Sequence, residues 1–305
     1  MNADKRILAV LEPDIVPREV IERATWLAEI EGAGLEILLC DPDVGPLSET
    51  LFVSNEAREI AERIREVQRQ MLDDFAAPAR ERGVEVVTGI LDRRPLADGI
   101  VDVALDRNPL YVVKGTRYHS DAERASLLDT DWHLIRTCPF PLWLVKPRPL
   151  AERPHIIAAV DPVHAADEPA ELDDRIVERA KALAAASGGE VHLLHAFQPL
   201  AGIGAAAALA FKPTPLPAEE ISERLEREHR RRLDALAAKH GIEAGRARQL
   251  PGSPLELLPW VAREDNADVV VMGVLARSVR SRDVVGSTAE RVLDQLPCDV
   301  LIVRP

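Results

Sequence analysis

The chain has 305 residues, a formal net charge of −13 and 47% apolar residues. That length suits about two domains, and the composition is that of an ordinary folded protein. The acidic balance excludes a general nucleic-acid binder, which needs a basic face, but leaves room for a small anion held by backbone amides.

The first residues, Met1 to Arg6, lead straight into a strand with no signal-peptide core, and no apolar run reaches the ~18 residues of a membrane span. The expected location is therefore the cytoplasm. A strand is predicted over residues 6–11, ending at Glu12-Pro13. A helix over 18–31 places Val20, Ile21, Ala24, Leu27, Ala28 and Ile30 near helical spacing, with Gly32 and Gly34 closing it. A strand at 35–40 precedes a long charged helix at 55–82, which carries Ile60, Ile64, Val67, Met71, Leu72 and Phe75 on one side and ends at Gly83. A strand at 84–91, a helix at 96–107 and strands at 110–114 and 142–145 follow. Lys146–Pro154 has three prolines in nine residues and reads as a stiff linker. Cys40, Cys138 and Cys298 are isolated and odd in number, as expected of reduced thiols.

The second half repeats this order. Strands are predicted at 155–160, 190–196, 242–250, 268–272 and 299–303, and helices at 169–187, 218–240, 254–265 and 287–296. Arg6–Pro13 aligns with His155–Pro162, Tyr111–Gly115 with Val269–Gly273, and Leu142–Pro147 with Val300–Pro305. The last two matches share one register, so the chain is a duplicated domain, divided as 1–148 and 153–305. Strand–helix alternation predicts an α/β fold with parallel sheets, whose ligands lie beyond the carboxyl ends of the strands. In the second half, strand one runs out at Asp161 and strand four at Gly273.

Gly273 ends an apolar strand, and Gly286 then opens a helix. Unpaired amides at a helix start carry partial positive charge and attract phosphate, and glycine allows close approach. Ser287-Thr288-Ala289-Glu290 is also a capping box, which accounts for Ser287 without any ligand. Arg277 is a candidate partner for phosphate, whereas Arg280 and Arg282 read as solvated loop charges. In the first half, Leu128 and Asp129 stand where the second has Gly286 and Ser287. A carboxylate there caps the helix but repels phosphate, which leaves Glu12 and Lys114 to line a different crevice. His192 and His195 are three apart on a strand, face opposite ways and form no metal pair, so no metal site is expected. No H-E-x-x-H, G-x-S-x-G or G-x-x-x-x-G-K-[ST] motif occurs, so no catalytic residue is assigned.

With Asp161 after strand one, and Gly273, Ala276, Gly286, Ser287 and Thr288 after strand four, the chain resembles the universal stress protein family. The family motif is G-x-x-G-x9-G-[ST], and Ala276 replaces its second glycine. The segment Thr130–Pro147 is similar to the first repeat of the tandem, E-type members. The resemblance implies two Rossmann-like domains of the adenine nucleotide alpha hydrolase-like type, each a five-stranded parallel sheet flanked by helices. It also implies that the fifth strands pair, here inside one chain as a pseudo-dimer, with further association into a homodimer left open. By the same resemblance the acid after strand one sits near adenine or ribose, and the strand-four loop wraps the phosphates. That nominates Asp161, Gly273, Ala276, Arg277, Gly286, Ser287 and Thr288 for ATP, with Mg²⁺. The implied role is non-catalytic or weakly hydrolytic ligand binding in a stress response. Two alternatives remain from the residues themselves. One is an apolar or lipid-like metabolite beneath the segments 42–54 and 199–213, and the other is a nucleotide-free interaction scaffold.

Overall fold

The computed structural model describes residues 5–40, 55–117, 130–163, 171–199, 218–274 and 291–305. The chain forms two compact units, Met1–Leu150 with Cys298–Arg304, and Ala151–Pro297 with Pro305. Each is an α/β unit built on a mainly parallel sheet.

In the first unit the elements are β1 (Arg6–Leu11), α1 (Pro17–Glu31), β2 (Gly34–Cys40), α2 (Asn55–Glu81), β3 (Val86–Leu91), α3 (Leu96–Arg107), β4 (Tyr111–Gly115), α4 (Thr130–Thr137) and β5 (Leu142–Val145). The strand order is β3-β2-β1-β4-β5, with every pairing parallel. A tenth strand of the chain, β10 (Asp299–Val303), lies antiparallel on β5 and pairs Leu144 with Val300 and Leu142 with Ile302. The fifth strands of the two repeats therefore pair, as the resemblance implied, and β10 completes the first unit. One carboxylate anchors it there. Asp299 is fully buried and accepts from Arg23 Nε at 2.7 Å, from Trp143 Nε1 at 2.9 Å and from the Lys146 amide at 2.9 Å. Three donors satisfy a charge that burial would otherwise penalise heavily.

In the second unit the elements are β6 (His155–Ala159), α5 (Glu171–Ser187), β7 (Glu190–Phe197), α6 (Ala218–Lys239), β8 (Ala247–Pro251), α7 (Pro254–Glu264) and β9 (Val269–Gly273). The order is β9-β6-β7-β8, all parallel. Residues 291–292 are helical and lie within the predicted helix 287–296.

The apolar runs of β1, β2, β4, β5, β9 and β10 are buried almost throughout, because helices cover both faces of a parallel sheet. The structure corrects four local expectations. The predicted strand 242–250 starts only at Ala247, since Ala244–Arg246 form a 3-10 turn closed by Arg246 N–H on Glu243 O. The strand predicted from Val84 starts at Val86, because the Val84 amide turns back to Ala79 O and finishes α2. The buried stripe of α2 runs through Gln68, Leu72, Ala76 and Ala79 at helical spacing, while Ile60 and Val67 point to solvent. Gly32 caps α1 at φ +60°, but Gly34 already belongs to β2 and its amide bonds Lys5 O. All three cysteines are buried, and none forms a disulfide.

Candidate functional site

In both units strand order reverses beside the first strand, between β1 and β4 and between β6 and β9. A switch point opens a crevice at the carboxyl ends of those strands. The two crevices are built on equivalent positions. Val10 pairs with Lys114 in the first, and Ala159 pairs with Met272 in the second.

The first crevice is filled from within. Lys114 is 1% exposed, although a lysine is rarely buried without partners. Its Nζ lies 2.6 Å from Asp131 Oδ1 on α4 and 2.5 Å from Glu12 Oε1 after β1, and it donates to Gly115 O at 2.9 Å. Thr116 Oγ1 donates to the other oxygen of Asp131 at 2.6 Å. Burial alone would lower the Lys114 pKa, but Asp131 and then Glu12 more than offset it and hold the ammonium well above the ordinary lysine range. Burial, with Glu12 adding to it, also raises the Cys40 thiol, so Cys40 stays protonated. Glu12 and Lys114 do not line an open pocket but close one.

The second repeat carries different residues at the equivalent positions of the sequence, Met272 for Lys114, Val274 for Thr116 and Ala289 for Asp131. Met272 and Val274 are buried, and Ala289 lies outside the described residues. Asp161 follows β6 as Glu12 follows β1, and its side chain is 60% exposed. Its amide donates to Asp173 Oδ1 on α5 at 3.0 Å, which fixes the backbone and leaves the carboxylate turned to solvent. Beside it His195 is buried, with Nδ1 3.1 Å from Val160 O and 3.7 Å from Asp161 Oδ1. A carbonyl can only accept, so Nδ1 carries the proton and Nε2 accepts from His229 Nδ1 at 2.7 Å. The His195 and His229 rings stack at 5.0 Å, and Phe197 lies 5.2 Å from His229. Burial is the main cause that lowers the His195 pKa, so its imidazole is neutral near pH 7.

Gly273 has a packing role that the sequence did not disclose. A Cβ there would lie 2.6 Å from Leu172 Cδ2 on α5, and at Gly115 it would lie 2.4 Å from Ile15 O. Neither glycine has positive φ. Both let the segment after the first strand lie against the end of the fourth. In the first unit this turn is strained, since Val16 adopts φ +40° just before Pro17.

Of the nominated residues, the structure brings Asp161 and Gly273 to the same switch point. Ala276, Arg277, Gly286, Ser287 and Thr288 lie outside the described residues, as do Leu128, Asp129, Arg280, Arg282 and the apolar segments 42–54 and 201–213. Sequence reasoning missed the His195–His229 pair, because His229 sits on a different element and only the fold brings the rings together. It also missed the cluster His155, Glu190 and His192, whose ligating atoms all lie within 4.8 Å of one another. Its signal was available in the parallel register, where His155 faces Glu190. His192 and His195 do part company, since His192 meets His155 and His195 meets His229.

Among the described residues no helix is long and apolar enough to cross a membrane. Residues 4–146 and 154–304 each match the universal stress protein family. The chain is 27% identical over 305 residues to universal stress protein E of Escherichia coli strain K12, covering 99% of this chain and 94% of that protein. Among solved structures it is similar to a functionally unknown protein of Pseudomonas aeruginosa PAO1, with TM-score 0.69 and 24% identity over 99% of this chain and 92% of that one. It is also similar in fold to a universal stress protein of Archaeoglobus fulgidus DSM 4304, with TM-score 0.64 and 16% identity over 99% of this chain and 97% of that one. Both halves match along nearly their full length, and the chain belongs to the universal stress protein family.

Proposed function

We propose that the second repeat binds an adenine nucleotide, ATP with Mg²⁺, at the switch point between β6 and β9, while the first repeat binds none. The observation that carries this reading is the pairwise exchange between the crevices. Lys114, Thr116 and Asp131 fill the first, and the sequence of the second repeat has Met272, Val274 and Ala289 at the same positions. Without that cation, hydroxyl and carboxylate the same plug cannot form, and the acid after the first strand, Asp161, is exposed.

The residues fit the two ends of a nucleotide in different ways. A carboxylate accepts two ribose hydroxyls well, and the apolar residues Met272 and Val274 put no charge beside a flat base. Gly286, Ser287 and Thr288 would turn helix-start amides and hydroxyls toward the phosphates, and Arg277 would add a charge-assisted bond. Gly273 and Ala276 would keep the loop between them close to the sheet. Occupancy would fold the segment 274–285 over the phosphates and so alter the surface offered to a partner protein. This is a binding role with no assigned catalytic residue.

Mass analysis of small molecules released by denaturing freshly purified protein tests the proposal. An adenine nucleotide near one per chain is the expected result. A lipid-like metabolite in its place would move the assignment to the apolar-ligand alternative.

A further inference from the structure

We propose that His155, Glu190 and His192 form a binding site for a divalent first-row transition ion, with zinc the best match. The site lies at the amino ends of β6 and β7, whereas Asp161 lies beyond the carboxyl end of β6, roughly 20 Å away along an extended strand. It is therefore separate from the nucleotide crevice and does not rest on that reading.

The parallel register puts the three side chains together. His155 is directly opposite Glu190, and His192 is two residues further along β7. Positions two apart on a strand share a face, so all three side chains project from one side of the sheet. The ring centroids of His155 and His192 are 4.5 Å apart, and His192 Nε2 is 3.7 Å from Glu190 Oε2. Ligands bound about 2.0–2.2 Å from a tetrahedral zinc ion sit ~3.4 Å from one another, so small side-chain rotations would close the set.

The histidines are prepared for ligation. His155 Nδ1 lies 2.8 Å from Asp265 O, and a carbonyl cannot donate, so the ring proton is on Nδ1 and the Nε2 lone pair is free. The main chain of His155 is held as well, its amide donating to Asp268 Oδ2 at 2.9 Å. A metal-bound histidine ordinarily has this outer bond from its second nitrogen. Both His155 Nε2 and His192 Nε2 are buried and make no hydrogen bond. Two buried imidazole nitrogens without a hydrogen bond cost stability unless something occupies them. A bound ion would satisfy both at once and would neutralise part of the Glu190 charge.

Two imidazoles with one carboxylate favour zinc, or other imidazole-loving ions of the same row, over calcium and magnesium, which prefer all-oxygen sites. Three protein ligands leave a fourth position for water. Arg246 is the competing cation, with its guanidinium 3.7 Å from Glu190 Oε2. It must release the carboxylate when the ion enters.

The test uses the full chain, stripped with a chelator and titrated with Zn²⁺ against a coloured competitor. Titration with Co²⁺ then gives the coordination number from its visible absorption. We expect one site with four-coordinate Co²⁺ absorption. His155→Gln and His192→Gln should each lower affinity about tenfold or more. Removal of the competing charge in Arg246→Gln should tighten binding, a gain that damaged folding cannot imitate. His133→Gln, in the first unit, should leave binding unchanged. No Zn²⁺ uptake by the wild-type chain, or uptake that the His155 and His192 variants leave unaltered, would overturn the proposal. An Arg246→Gln variant that binds no more tightly would remove Glu190 from the site.

Discussion

Lys114 Nζ lies 2.6 Å from Asp131 Oδ1, and both side chains are almost wholly buried. The equivalent positions in the sequence of the second repeat are Met272 and Ala289, so that repeat has no residues to form the same ion pair. The proposed division of roles between the repeats rests on this exchange.

Lys114→Met should destabilise the chain by about 3–5 kcal/mol, because Asp131 and Glu12 are left facing each other without their cation. Adding Asp131→Ala should recover part of that loss, since the stranded charge goes with it. Urea unfolding of the two single variants and the double gives the coupling, which should exceed about 1 kcal/mol. Additive effects would mean that the crevice is not held by this pair.

The two strand-end glycines should respond unequally to alanine. At Gly115 the new methyl meets the main-chain oxygen of Ile15 at 2.4 Å, and backbone has to move. At Gly273 it meets only side-chain atoms of Leu172, Cδ2 at 2.6 Å and Cγ at 2.8 Å, which can shift without moving the main chain. Overpacking of this kind costs about 1–3 kcal/mol, and Gly115→Ala should lie at the upper end with Gly273→Ala at the lower. Thermal unfolding of both variants measures the order.

His195 should make the fold sensitive to acid. Burial is the first cause of its lowered pKa, and the nearby charge of His229 lowers it further, while the Val160 carbonyl and Asp161 oppose the shift. A depressed folded pKa means that the unfolded chain takes up the proton first as pH falls. The stabilising contribution is complete above the unfolded histidine value of about 6.5 and is lost as pH drops through the folded value. One histidine changes stability by at most ~1.4 kcal/mol per pH unit. Urea midpoints between about pH 7.5 and 5 should therefore fall less steeply in His195→Leu than in the wild type. An unchanged slope would show that His195 is not the group responsible.

Much of the fold was legible because the signals were local. The apolar runs of β1, β4, β6 and β9 and the glycines after α1 and α2 mark their elements directly. The helical face of α2 was misjudged at Val67, since periodicity cannot tell which of two adjacent stripes meets the sheet and Gln68 takes the buried one. The crevices were legible only in part. Asp161 and Gly273 follow from the order of strands, whereas the Lys114 plug joins residues 12, 114 and 131, which only the folded chain brings together. Asp299 is a similar case. Its partners Arg23, Trp143 and Lys146 lie far back in the sequence, and nothing near Asp299 announces them.

Calorimetric titration of the full chain with ATP and Mg²⁺ tests the asymmetry between the crevices most directly. One binding event per chain is expected, lost when Gly286 and Ser287 are changed to the first repeat's residues in a Gly286→Leu, Ser287→Asp double variant. Two equivalent sites, no binding heat, or binding that survives the double variant would contradict it.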